Sequence, residues 1–203
     1  MALPATFAFT GTDNTALTTH DARFSMAMGA SSNVVINSGL CQPNGGSDGR
    51  ARLSGETFND NQYCIGTYNP KSATTNYVEI YGRMNGTGNT MYWFYLQAGT
   101  GEFGKQVSGS NTTFTSSITG TTNDTFEIRC DGTTISLLKN GVTASTQTDS
   151  GVTTGIPAIG GYGYSSSIEH GWDAWEAGNL GAAAATSIVF RPGPRGWAGI
   201  IVR

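Results

Sequence analysis

Short runs of alternating apolar and polar residues, separated by turn residues, recur along the chain and predict β-strands. In the run FEIRC, Phe126, Ile128 and Cys130 point one way while Glu127 and Arg129 point the other. A period of two is that of a strand with one buried and one solvated face. The run therefore predicts a strand of an antiparallel sheet that packs against a second layer.

Two tight turns follow this strand and predict a meander. Asp131-Gly132 and Asn140-Gly141 are residue pairs that tolerate the positive φ angles of two-residue hairpin turns. They join three consecutive antiparallel strands, predicted at residues 125–130, 133–139 and 142–148.

Alternation and turn residues together predict about a dozen short strands in the chain. The other segments are residues 7–10, 24–27, 34–36, 51–54, 62–68, 77–83, 91–98, 102–107, 112–119, 156–163 and 171–176. Helix formers are scarce, and the alanine-rich run at residues 182–185 is too short for a stable helix. Since sheets without helices must cover each other, the sequence predicts an all-β fold, an antiparallel two-sheet β-sandwich of residues 1–180.

The last segment, residues 181–203, departs from this pattern and predicts an extended C-terminal arm. It begins with a Gly/Ala linker, and Pro192 and Pro194 cannot donate to a sheet. We expect the arm to dock on another subunit or a larger assembly. The alternative is that residues 187–191 pair within their own sheet and the remainder is a frayed tail. The expected contacts of the arm are Phe190, Arg191, Arg195, Trp197, Ile200, Ile201 and Arg203.

Composition and charge argue against several classes of partner. The 203 residues include 29 glycines and only 12% charged residues, as in chains of many short strands. Residues 1–180 hold eight basic and fourteen acidic residues, a net charge of −6, whereas nucleic-acid binding favours a basic surface. No apolar run reaches membrane-spanning length. Because no secretory leader is visible at the N-terminus, we expect synthesis in a cytosol-like compartment.

The three cysteines match no metal-ligand spacing. Cys130 occupies an inward strand position and is expected to be a small core residue. Cys41 and Cys64 flank predicted loops and are either free or paired in a disulfide. A reducing compartment favours the free thiols.

Several segments carry a family resemblance through their order and spacing. They are FAFTGTDNTALTTHDARF, FNDNQYCIGTY, FEIRCDGTTISLLKNGV and SGVTTGIPAIGGYGY running into HGWDAWEAGNL. Together they resemble the concanavalin A-like, laminin-G-like jelly-roll domains of bacteriophage and prophage structural proteins, over residues 5–180. The resemblance implies a concanavalin A-like jelly roll in a virion, made in the host cytoplasm, with phage capsid or tail proteins as partners.

No arrangement of catalytic residues is visible along any one strand. Glucanases of this fold carry carboxylates at i, i+2 and i+4, and this chain has no such triplet. Asp173 and Glu176 are three residues apart and are expected on opposite faces of a strand. His20 and His170 are expected to be satisfied loop histidines, since neither has a partner at metal-ligand spacing. The sequence therefore predicts a protein that is not an enzyme and has no catalytic residues.

No cofactor or metal ion is expected either. Laminin-G-like relatives sometimes bind calcium, and loop acids such as Asp13 or Asp124 leave that open. However, no dense Asp/Asn loop supports a calcium site.

Two predicted strands carry aromatic residues that could share a surface. Alternation puts Tyr77 and Tyr81 on one face of NYVEIYGR, and Trp93 and Tyr95 on one face of MYWFYLQ. If these strands are neighbours, the four rings form a surface of the kind that binds sugars or proteins. The alternative is that loops or a second layer bury the rings.

Two functions follow as hypotheses. The first is a non-enzymatic virion protein, a capsid decoration (cement) or tail accessory protein that self-associates as a homo-oligomer and docks through its arm. The second is a lectin-like carbohydrate-binding module that attaches to a surface through glycans. A third hypothesis, an unusual glycosidase, lacks a visible set of catalytic carboxylates.

Overall fold

Sixteen antiparallel strands in two sheets dominate the described part of the chain, residues 3–70, 76–163 and 170–181 of a computed structural model. Between them lie a short helix, α1 (Leu17–His20), and a 3-10 turn at Ser31–Asn33. The strands in chain order are β1 (Ala5–Ala8), β2 (Thr15–Ala16), β3 (Ser25–Met28), β4 (Val34–Asn37), β5 (Leu40–Pro43), β6 (Asp48–Arg52), β7 (Gln62–Pro70), β8 (Tyr77–Met84), β9 (Met91–Gln97), β10 (Thr100–Val107), β11 (Ser110–Thr119), β12 (Thr125–Asp131), β13 (Thr134–Lys139), β14 (Val142–Thr148), β15 (Ile156–Tyr162) and β16 (His170–Asn179).

The two sheets confirm the predicted β-sandwich. The nine-stranded sheet has the order β14-β13-β12-β7-β16-β5-β4-β2, and β1 pairs with β16 beside this path. The seven-stranded sheet has the order β11-β10-β9-β8-β15-β6-β3, with β8 at its centre. The predicted meander corresponds to β12, β13 and β14, joined at Gly132 and Gly141, both of which have positive φ.

The core lies between the inner faces of the sheets, as the alternation predicted. The side chains predicted to point inward, Phe126, Ile128 and Cys130, are buried, and so are Val78, Ile80 and Trp175. Phe94 of the seven-stranded sheet stacks on Phe126 of the other sheet, with ring centroids 4.7 Å apart. Each such large apolar side chain contributes about 1.5–3 kcal/mol on burial.

A β-bulge lets two tryptophans of β16 face the core together. Trp172 and Trp175 are three residues apart, which in a regular strand would put them on opposite faces. The pairing with β7 shifts between Trp172 and Ala174, and this extra residue turns both indoles inward. Asp173, at the bulge, is exposed.

The cysteines are free and buried. Cys41 pairs in register with Trp172 of β16, and Cys64 pairs with Ala177 on the opposite edge of the same strand. Five residues of strand span about 17 Å, whereas a disulfide needs Cα atoms within about 7 Å. The topology therefore excludes the Cys41–Cys64 disulfide that the sequence left open.

Some elements differ from the prediction. The strand β5 was missed because it is buried along its whole length and shows no alternation. His170 is not a loop residue as expected but begins β16, fully buried, and its Nε2 has no hydrogen-bond partner among the described residues. His20 ends α1.

The predicted arm lies almost entirely outside the described residues. The last strand ends at Asn179, and the description of the chain stops at residue 181. All seven expected contact residues of the arm fall beyond it, so its docking role and the domain boundary remain predictions. The helical elements among the described residues are the four-residue α1 and a three-residue 3-10 turn, both far too short to span a membrane.

Candidate functional site

A cavity of about 390 Å³ opens on the outer face of the seven-stranded sheet. The alternation of β8 creates its floor, because Val78 and Ile80 enter the core while Tyr77, Glu79 and Tyr81 point away from it. Strands β6, β9, β10, β11 and β15 supply the rest of the lining. The volume falls in the range of small-molecule sites, about 300–1,000 Å³.

All four aromatic residues singled out from the sequence line this cavity. Because β8 and β9 are neighbours, Tyr81 lies directly opposite Trp93. Trp93 and Tyr95 are stacked at 5.7 Å between ring centroids, and Tyr77 meets Tyr95 edge-on at 5.0 Å. Tyr81 is fully buried and Trp93 is 7% exposed, whereas Tyr77 and Tyr95 are half-buried.

A fifth ring comes from β15. Tyr162, which was not among the four aromatic residues singled out from the sequence, is half-buried and also lines the cavity. It meets Tyr77 edge-on at 6.5 Å. The rings thus continue around the cavity from β9 across β8 to β15.

A row of charged residues crosses the same face. The register aligns Arg50 of β6, Gly160 of β15, Glu79 of β8, Tyr95 of β9 and Glu102 of β10. Gly160, between Arg50 and Glu79 in this row, adds no side chain and lies close to the backbone of β6. A Cβ at this glycine would lie 2.1 Å from the Gly49 carbonyl oxygen, so no larger residue fits.

Arg50 is fixed by a set of acceptors. Its Nε and Nη2 donate to Asp48 Oδ1 and Oδ2 at 3.2 and 2.9 Å, and its Nη1 donates to Gln106 Oε1 at 3.0 Å. The guanidinium carbon also lies 5.6 Å from the centroid of the Tyr81 ring. Although burial opposes it, the surrounding Tyr81, Glu79 and Asp48 raise the pKa of Arg50, so the guanidinium is charged.

Glu79 lies at the centre of the cavity. Burial raises its pKa, while Arg50 and a hydrogen bond from the Tyr81 hydroxyl to its Oε2 act in the opposite direction. Burial also raises the pKa of Tyr81 well above its usual value. The phenol is therefore a permanent donor to Glu79 at neutral pH.

Glu102 stands on the far side of Tyr95 from Glu79. Thr113 Oγ1 donates to its Oε2 at 3.3 Å. Burial, followed by the influence of Glu102, raises the pKa of Tyr95 to about 12, which keeps this phenol protonated as well. The cavity therefore combines phenol donors with carboxylate acceptors.

Three carboxylates of the cavity were missed at the level of sequence. Asp48, Glu79 and Glu102 come from β6, β8 and β10, whereas the search for paired acids followed single strands. That search could not find carboxylates that neighbouring strands bring to one face of the sheet. The sequence pattern of β8 could have identified Glu79, because this residue alternates in phase with Tyr77 and Tyr81.

The acids considered first lie elsewhere. Glu176 accepts a hydrogen bond of 2.7 Å from the Tyr63 hydroxyl on the nine-stranded sheet. Asp13 accepts from the Ser38 backbone N–H, and Asp124 accepts from Thr121 and Asn140. Among residues 3–70, 76–163 and 170–181, no group of three or more His, Cys, Asp or Glu side chains could hold a metal ion.

Solved structures with the same fold include sugar-binding and sugar-processing proteins. The carbohydrate binding module CBM66 from Bacillus subtilis aligns with a TM-score of 0.52 and 13% identity, covering 76% of this chain and 90% of its own. The carbohydrate recognition domain of Emp46p in its potassium-bound form aligns with a TM-score of 0.53 and 11% identity, covering 77% and 88%. The Crh5 transglycosylase in complex with NAG aligns with a TM-score of 0.57 and 12% identity, covering 86% and 84%.

At these identities the likeness establishes the fold alone, a concanavalin A-like β-sandwich. No protein-family model matches the chain. No curated protein matches it at a significant level. The phage setting that the sequence resemblance implied finds no support in these comparisons.

Proposed function

We propose that this domain binds carbohydrate in the cavity on the outer face of the seven-stranded sheet. The observation that carries the proposal is the gathering of five aromatic rings and several fixed polar groups in one cavity of about 390 Å³. Aromatic rings offer flat apolar area to the C–H faces of a sugar, and the polar groups meet its hydroxyls. Carbohydrate-binding proteins among the structures of like fold support this function.

The polar groups of the cavity suit a ligand rich in hydroxyls. Glu79 and Glu102 accept hydrogen bonds, while the phenols of Tyr77 and Tyr162 can donate or accept. The indole Nε1 of Trp93 has no hydrogen-bond partner among the described residues. This nitrogen is itself buried, so the ring of Trp93, rather than its N–H, is the part that contributes to the cavity.

In this proposal the domain binds sugar without cleaving it. Glu79 and Glu102 are separated by the strand that carries Tyr95, so their backbones lie about 10 Å apart. Retaining glycosidases need carboxyl groups about 5–5.5 Å apart, and inverting ones about 6.5–9.5 Å with room for water. Here both carboxylates already accept hydrogen bonds from the protein, Glu79 from the Tyr81 hydroxyl and Glu102 from Thr113 Oγ1.

Glycan-array screening of the full chain, followed by calorimetry on the best ligand, tests this proposal. Tyr95→Ala should weaken binding at least tenfold, because it removes the ring at the centre of the aromatic set. Tyr63→Ala is the matched control: it removes a half-buried tyrosine from the outer face of the other sheet and should leave affinity unchanged. Absence of glycan binding, or equal losses in both variants, would contradict the proposal.

Catalysis is tested with the same ligand. We expect no new reducing ends after prolonged incubation of the protein with the oligosaccharide it binds best. Hydrolysis that disappears in Glu79→Gln or Glu102→Gln would show that the cavity is an active site.

A further inference from the structure

Acidic side chains outnumber basic side chains in the cavity, and this affects which sugars it can bind. Three carboxylates line it, Asp48, Glu79 and Glu102, against one basic side chain, Arg50. With all four groups ionised, the lining has a net charge of −2. Proteins that bind acidic sugars place free arginines or lysines in the site, which is the opposite arrangement.

The arginine of the cavity is already engaged. Arg50 makes two hydrogen bonds to Asp48 and one to Gln106, and its Nη1 also donates to the Gly88 carbonyl oxygen. These contacts use most of the guanidinium donors and neutralise Asp48. The negative charge that remains therefore belongs to Glu102. Glu79 contributes to it as well, since Arg50 neutralises Glu79 only in part.

Both of these acids flank the same aromatic ring. Tyr95 pairs with Glu79 on β8 and with Glu102 on β10. Its ring contacts those of Tyr77 and Trp93 at 5.0 and 5.7 Å. A cation within about 6 Å of an aromatic centroid is attracted by the ring face, most strongly where water is excluded. A ligand cation beside Tyr95 would thus meet ring faces and a carboxylate on either side.

We infer that the cavity selects glycans carrying a free, protonated amine, such as glucosamine oligosaccharides, over neutral or acidic glycans. The inference rests on the proposed function: the rings bind the sugar, and the Glu79–Tyr95–Glu102 row reads its ammonium group. N-acetylation removes the charge and should remove the preference. A uronic acid adds a carboxylate and should be repelled.

Calorimetry of the full chain with three oligosaccharides of equal length tests the inference. They are a glucosamine oligomer, the matching N-acetylglucosamine oligomer and a galacturonate oligomer, at a pH that keeps the amine charged. We expect the glucosamine oligomer to bind at least tenfold more tightly than its acetylated form, and the galacturonate oligomer not to bind. The preference should shrink as salt is raised, because screening weakens charge interactions.

Isosteric variants identify the source of the preference. Glu102→Gln should lower affinity for the amine about tenfold and affinity for the acetylated oligomer much less, because the amide keeps an acceptor oxygen but loses the charge. Glu79→Gln should act in the same direction. Glu127→Gln is the control, since Glu127 pairs with Arg129 on the other sheet, and should change neither affinity. Unaltered melting temperatures would show that each variant is folded.

The outcomes separate the two proposals. Equal affinity for the amine and the acetylated oligomer, with Tyr95→Ala weakening both, would overturn the charge preference and leave carbohydrate binding standing. Binding to none of the three oligomers nor to any arrayed glycan would overturn both. Capture of a trimethyllysine peptide in the absence of any glycan binding would also overturn both, because the cation would then belong to a protein ligand.

Discussion

The indole of Trp93 lies over the bare backbone of Gly104, its partner on the neighbouring strand. The two residues pair directly between β9 and β10, and a Cβ at Gly104 would lie 2.5 Å from Cζ2 of the indole. The same Cβ would lie 2.4 Å from the Thr112 carbonyl oxygen of β11. This glycine therefore sets the position of one wall of the cavity.

Gly104→Ala should lower stability and glycan affinity more than the addition of a single methyl group usually does. The new methyl group must displace Trp93 or β11, and overpacking of this kind costs about 1–3 kcal/mol. We expect a lower midpoint in urea and at least a tenfold loss of glycan affinity. Gly86→Ala is the control, because its nearest neighbour would be a flexible Arg52 side chain at 3.6 Å. Native affinity in Gly104→Ala would refute this role.

Arg83 is expected to stabilise one end of the sandwich. Its buried guanidinium donates to the carbonyl oxygens of Asp60, Val152 and Gly132 at 2.8, 3.0 and 2.8 Å, in three separate loops. Arg83→Met leaves these acceptors without their donor and should cost about 3 kcal/mol, measured by chemical denaturation. Arg129→Met, which breaks an exposed pair with Glu127, should cost less than about 1 kcal/mol. Similar losses in the two variants would argue against this role.

Stability should fall as the pH drops below 6.5. Burial lowers the pKa of His170 from 6.5 to about 4, so the folded protein holds it neutral while the unfolded chain takes up a proton. Because only the unfolded chain binds this proton, the free energy of unfolding falls by about 3 kcal/mol as the pH drops from 6.5 to 4. His170→Asn should flatten the curve in this window, as measured by urea unfolding at a series of pH values. A wild-type stability that does not change between pH 6.5 and 4 would contradict the assignment of this effect to His170.

The thiols should be unreactive in the folded protein. All three cysteines are buried, and burial raises the pKa of Cys130 to about 12. An aromatic disulfide reagent should titrate no thiol in the native state and all three in denaturant, since the thiolate is the reactive form. Titration of fewer than three thiols in denaturant, without reductant, would indicate a disulfide.

Removal of residues 187–203 should leave the domain folded. The core side chains described for the two sheets come from residues no later than Ala177. We expect an unchanged melting transition and unchanged glycan affinity, with loss only of any self-association. A lower melting temperature would place the segment within the fold, as in the alternative that residues 187–191 pair in their own sheet.

The sequence by itself determined which face of each long strand is buried. Alternation is a local property of the strand, so Phe126, Ile128 and Cys130 could be placed inward without knowing their neighbours. The same reasoning put Tyr77 and Tyr81 on one face of β8. It did not identify β5, because a strand buried on both faces leaves no alternation.

Only the tertiary structure decided what the outer face contains. Asp48, Glu79 and Glu102 come together because β6, β8 and β10 belong to one sheet, with β15 inserted between β6 and β8. The residues of β15 are more than a hundred positions from β6 along the chain. Strand order depends on the balance of packing and loop closure across the whole chain, which no local pattern records. The sequence could therefore supply four of the aromatic rings and the orientation of Glu79, but not Asp48, Glu102 or Tyr162 beside them.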